Sequence, residues 1–117
     1  MVNILGTVYE IETKQYGDDP WFKENSCDAY CDGTLKKIVM CDLKTWPRFE
    51  KETDECLTVM RKEVLRHEIV HAFLNESGLR DSALTADGPW ARNEEMVDWF
   101  AIQGPKIYEA WQSVSAI

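Results

Sequence analysis

The run His67-Glu68-Ile69-Val70-His71 sets two imidazoles four positions apart, with a carboxylate directly after the first. On a helix such residues share one face, their Cβ atoms about 5–6 Å apart. Both rings can then reach one zinc ion, which takes imidazole nitrogens at about 2.0–2.1 Å. The carboxylate of Glu68 falls beside the metal, where it can accept a proton from bound water. The chain has only two histidines, and scattering them at random gives this arrangement roughly a few times in a thousand. Two core histidines on a buried helix face would be the plain alternative, but a buried Glu68 between them would need a partner of its own.

Leu57, Met60, Val64, His67, His71 and Leu74 recur at three- and four-residue steps, which predicts a helix from about Thr53. Gly78 suits the left-handed position past its end, with Leu79 near Leu74. Residues 80–91 read as a loop. A second helix is predicted from about Arg92 to Gln103, broken by Gly104-Pro105, and a short last one from Lys106 to about Ser113 packs Ile107, Tyr108 and Trp111 onto the body. Upstream, residues 8–13 alternate as a strand and Asp18-Asp19-Pro20 reads as a turn. Asp32-Gly33 is a second turn, followed by a strand over 34–41 paired with the first strand or with part of 21–31.

A zinc site needs a third ligand, and both histidines are used. Families built on three histidines, the metzincins among them, are excluded. A carboxylate or a cysteine remains. Peptide deformylases use an upstream cysteine, and Cys27 is upstream, but Asp28-Ala29-Tyr30 does not resemble their cysteine motif. In Asn93-Glu94-Glu95-Met96-Val97-Asp98, Glu94 and Asp98 stand four apart on one helical face. Here the chain resembles the gluzincins, whose second helix carries N-E-x-x-x-D. The resemblance implies that Glu94 binds zinc and that Asp98 orients a ligand histidine, fixing its tautomer and raising its basicity. Glu95 is the fallback ligand, and an acidic first turn favoured by the helix dipole explains the glutamates but not Asp98. With His67 to Phe73 and Glu94-x-x-x-Asp98-Trp99-Phe100-Ala101, residues 60–102 resemble the ImmA/IrrE group of phage and mobile-element peptidases and the minigluzincins. Ile102-Gln103-Gly104-Pro105 departs from the Leu-Met-Pro continuation common in the ImmA-like proteins.

The remainder of the composition fits that reading. A formal charge of −8 over 117 residues disfavours nucleic acid, and Lys36-Lys37 is no patch. No apolar run approaches the roughly 20 residues of a membrane helix, and the N-terminus lacks a secretory pattern, so a cytoplasmic protein is expected. Cys27, Cys31, Cys41 and Cys56 are expected to be free thiols, with no disulfide and no second metal.

The expectation is therefore one α+β, zincin-like domain over residues 1–117. A small mixed or antiparallel sheet would accompany an active-site helix and a second, ligand-bearing helix. The resemblance implies Zn2+ on His67, His71 and Glu94, with Glu68 as general base acting on a protein or peptide, a regulator among the candidates. Strand 34–41 would be the edge that pairs with substrate. Tyr108, Tyr30 and Arg92 are the candidate oxyanion stabilisers. So small a chain is expected to lack a second wall for its cleft, so that either the substrate is bound shallowly or a partner protein supplies the wall. A catalytically weak or inactive zinc-binding interaction module is the competing class.

Overall fold

The computed structural model describes residues 1–80 and 90–115, and for residues 90, 110, 111 and 113 the backbone alone. Residues 81–89, most of the expected loop, and the side chain of Trp111 lie outside the described residues. Among the described residues, four strands and three α-helices form an α+β domain with a mixed sheet. The strands are β1 (Val2–Ile4), β2 (Thr7–Gln15), β3 (Ala29–Asp32) and β4 (Lys37–Asp42), in the order β1-β2-β4-β3. β1 and β2 form an antiparallel hairpin through Leu5-Gly6, both at positive φ (50° and 93°), as a two-residue turn matched to strand twist requires. β2 and β4 are parallel, and β3 and β4 antiparallel. Asp32 Oδ1 accepts from the Thr34 and Leu35 amides and so builds the turn expected at Asp32-Gly33.

The second strand expected at 34–41 lies at 37–42, and it is not an edge. Ile38 and Met40 enter a core with Ile4, Tyr9, Ala29 and Ala72, while Val39 and Cys41 enter another with Phe22, Leu43, Trp46 and Leu57. A strand apolar on both faces belongs inside a sheet. Among the described residues the sheet edges are β1 and β3, so the edge position expected of strand 34–41 falls to β3 on the side of α2. Between β2 and β3 runs α1 (Pro20–Asn25), unexpected from sequence, capped by Asp19 accepting from the Trp21 amide at 3.1 Å.

α2 (Asp54–Leu74) starts at Thr53, whose hydroxyl accepts from the Cys56 amide at 3.1 Å, with Asp54 and Glu55 in the first turn. Val64, Leu65 and Ile69 press it on the sheet, and Gly78 at φ 81° closes the wider turn after it. There Glu76 accepts hydrogen bonds from Thr7, Tyr9 and Lys36, tying the end of α2 to the sheet.

α3 (Glu94–Ser113) is one helix where two were expected, because it continues through Pro105. Proline has no N–H for the carbonyl four residues back, here that of the buried Ala101. Arg66 of α2 supplies the missing donor: its Nε reaches the Ala101 oxygen at 3.0 Å. Among the described residues no helix is long and apolar enough to cross a membrane.

Candidate metal centre

α2 presents His67, Glu68 and His71 late in its length, and the first turns of α3 present Glu94 and Asp98 beside them. The start of α3 is held by Asn93, whose Oδ1 accepts from the Met96 amide at 2.9 Å. The two Nε2 atoms are 3.0 Å apart. Glu94 Oε2 lies 3.0 Å from His67 Nε2, and its Oε1 lies 3.2 Å from His71 Nε2. Ligands arranged tetrahedrally at about 2.0–2.1 Å from zinc would be separated by roughly 3.3 Å. His67, His71 and Glu94 are thus spaced as a group that could hold one metal ion.

The hydrogen bonds behind the rings set the tautomers. His67 Nδ1 meets Asp98 Oδ1 at 2.5 Å, and His71 Nδ1 meets the Ala91 carbonyl at 2.6 Å. Both partners are acceptors, so each Nδ1 carries the proton and each neutral ring turns its Nε2 lone pair toward Glu94. Three acceptors then converge with no donor between them. A cation fits such a set, and protons fit it when no cation is bound. Burial lowers the basicity of His67, but the hydrogen bond to Glu94 and the nearby Glu68 and Asp98 outweigh it and hold its pKa up at about 9. His71 is raised against burial by Glu94 and by the Ala91 carbonyl. The same two histidines hold Glu94 well below the usual carboxylate range.

Glu68 is 5% exposed, and burial, its largest influence, lifts its pKa to about 7. Its carboxylate lies 3.9 Å from His67 Nε2 and makes no hydrogen bond among the described residues. It stands where two cavities meet. One, of about 410 Å3, is bordered by Ser26 to Ala29, Val64 and Ile102; the other, of about 210 Å3, by Tyr30, Cys31, Gly33 and Ala91. Both run along β3.

The remaining sequence candidates separate clearly. Glu95 is exposed and outside the donor group. Tyr108 is half-exposed, accepts from Gln112 and lines a different, apolar cavity with Phe100 and Pro105. It stands roughly 20 Å along α3 from Glu94 at 1.5 Å per residue, which removes it as an oxyanion stabiliser. Tyr30 borders the smaller cavity but donates its hydroxyl to Asp19 at 2.7 Å. Arg92 borders the same cavity as His71 and Glu68. All four cysteines are free, and burial foremost pushes the Cys27 thiol up to about 11 and that of Cys31 to about 12. Neither belongs to the donor group.

The Ala91 carbonyl was not foreseen, since a backbone acceptor leaves no mark on residue type. The Arg66 contact to Ala101 was missed as well, although an arginine beside the first histidine and a proline four residues after Ala101 were its visible signal. Comparison with protein-family models, with curated proteins and with solved structures finds no match.

Proposed function

We propose that this chain is a zinc-dependent peptidase of the gluzincin type on a zincin-like fold, in the manner of the ImmA/IrrE group and the minigluzincins, and that it works in the cytoplasm. The observation that carries this reading is the convergence of three lone-pair donors beside a buried glutamate that makes no hydrogen bond among the described residues. His67, His71 and Glu94 would hold the ion. Bound there, zinc would supply Lewis-acid polarisation and a water whose pKa is lowered to about 7. Glu68 takes the proton of the attacking water and returns it to the leaving amine; burial already holds its pKa at about 7, near working pH. Asp98 and the Ala91 carbonyl keep the two rings in the tautomer the role requires.

The substrate is a protein or peptide lying extended along β3. Cys41 N donates to Asp28 O at 2.8 Å, so the paired register directs residues 28, 30 and 32 at β4 and turns the amides of Ala29 and Cys31 toward the open edge. Main-chain pairing of this kind gives affinity without demanding one sequence. Arg92, which borders the same cavity as Glu68 and His71, is the side chain we assign to steady an oxyanion. The side chain of Glu94 is 67% exposed, so the centre opens to solvent on one side and a partner protein could complete the wall.

Zinc content by elemental analysis, with peptide cleavage by wild type and Glu68→Gln, tests this. About one zinc per chain is expected, lost in His67→Ala and kept in Glu68→Gln, with cleavage reduced about 10²–10⁴-fold in the latter. Full metal retention in both His67→Ala and His71→Ala would refute the centre. Zinc without turnover in any assay would favour the interaction module instead.

A further inference from the structure

The two cavities that meet at Glu68 carry opposite charge. The larger is walled by Asp28 and Glu63 in addition to the donor carboxylates, with no lysine or arginine among its described lining residues. Glu94 and Asp98 are engaged by the histidines, whereas Asp28 and Glu63 hold no ion pair among the described residues. The smaller cavity is lined by Arg80 and Arg92, with no acid but Glu68. Arg80 is anchored there by Thr34 at 3.1 Å. β3 joins the two: its Asp28–Ala29 end borders the acidic cavity and its Cys31–Gly33 end the basic one. The groove is therefore polarised along the same line on which the free edge would receive a strand. From Asp28 to Gly33 at about 3.3 Å per residue it spans roughly 16 Å, the reach of about five extended substrate residues.

Resting on the peptidase reading of this site, we propose that its substrate is a charge-polarised extended segment: an acidic residue on the N-terminal side of the scissile bond and a lysine or arginine on the C-terminal side. The order follows from strand direction. Antiparallel pairing is the more stable per residue, and it sets the N-terminal half of the segment against Arg80 and Arg92 and the C-terminal half against Asp28 and Glu63. The buried Glu68 marks the point between them.

The test separates binding from turnover. Three fluorescent dodecapeptides are compared: one acidic then basic about five residues on, the same composition in reverse order, and a neutral one. Their binding to zinc-treated Glu68→Gln is followed by anisotropy, and their cleavage by wild type by mass spectrometry. The first peptide is expected to bind about tenfold tighter than the neutral one, as two or three partly exposed pairs allow, with the advantage shrinking at high salt. Asp28→Lys with Glu63→Lys is expected to erase the ranking of the first two peptides, since each then meets one attractive and one repulsive end, provided zinc content matches that of the parent. Equal binding of all three peptides, preference for the reversed order, or no binding at all overturns the proposal. Ranked binding without cleavage by wild type keeps the proposal for the groove and refutes the peptidase reading. Cleavage without ranking keeps the peptidase and refutes the polarity.

Discussion

Removing the guanidinium of Arg66 should loosen the candidate metal centre through a carbonyl that is not part of it. Pro105 leaves the Ala101 oxygen without its helical donor, and Arg66 Nε fills the gap at 3.0 Å. Ala101 is 4% exposed, so water cannot readily replace that donor. A hydrogen bond with a charged partner contributes about 1.5–3 kcal/mol, and an orphaned buried carbonyl costs about 1–3 kcal/mol. Arg66→Met should therefore destabilise the fold by about 2 kcal/mol. Pro105→Ala restores an amide able to reach Ala101, so in that background the arginine becomes dispensable and Arg66→Met should cost well under about 1 kcal/mol. The expected coupling between the two positions is about 1–2 kcal/mol, well above the roughly 0.3–0.5 kcal/mol scatter of independent sites. Urea denaturation of the four metal-free proteins measures it. A zinc titration on the same set should find the weakest binding in Arg66→Met, because the contact fixes where α3 presents Glu94 to the histidines of α2. Strictly additive costs, with zinc affinity untouched, would refute this account of how the helices are registered.

Other expectations follow from the same geometry. Glu94→Gln should weaken zinc binding at least tenfold more than Glu95→Gln, since only Glu94 joins the donor group; the reverse order in a competition titration would move the ligand. In metal-free protein, His67 has a folded pKa of about 9 against about 6.5 unfolded. Its contribution, on the order of 3 kcal/mol, is fully present below pH 6.5 and is lost as pH rises through 9, whereas zinc affinity should rise over the same window as protons leave the ring. Thermal melts with and without chelator across that range check both signs, and a metal-free stability that climbs with pH would contradict them. Thiol titration of unreduced, denatured protein should recover four thiols, in line with four free cysteines.

The donor set was legible in the sequence because helical spacing converts directly into a shared face: His67 with His71, and Glu94 with Asp98, each stand four apart. The strand carrying the site's open edge was less legible. Ala29 to Asp32 is only four residues long and follows a polar stretch, and its pairing with β4 makes it a strand. The alternative signal was in β4 itself, since four consecutive apolar residues, Ile38 to Cys41, mark a strand covered on both faces rather than an edge. Pro105 misled in the opposite direction. Local propensity ends a helix there, but a donor from a neighbouring helix, invisible to local pattern, offsets the missing amide. Tyr108 failed as a candidate because residue type alone fixes neither distance along a helix nor which cavity a side chain borders.

The two histidines sit on a stretch of helix secured on both sides, by Arg66 to α3 and, through Glu76, to Thr7 and Tyr9 of β2 and to Lys36 just before β4. Their rings are further pinned from behind by Asp98 and the Ala91 carbonyl. The conformational entropy of ordering these side chains is thus lost during folding. An ion captured by such a preorganised donor set would need little rearrangement of the chain, and its affinity would report mainly on desolvation and on the protons displaced.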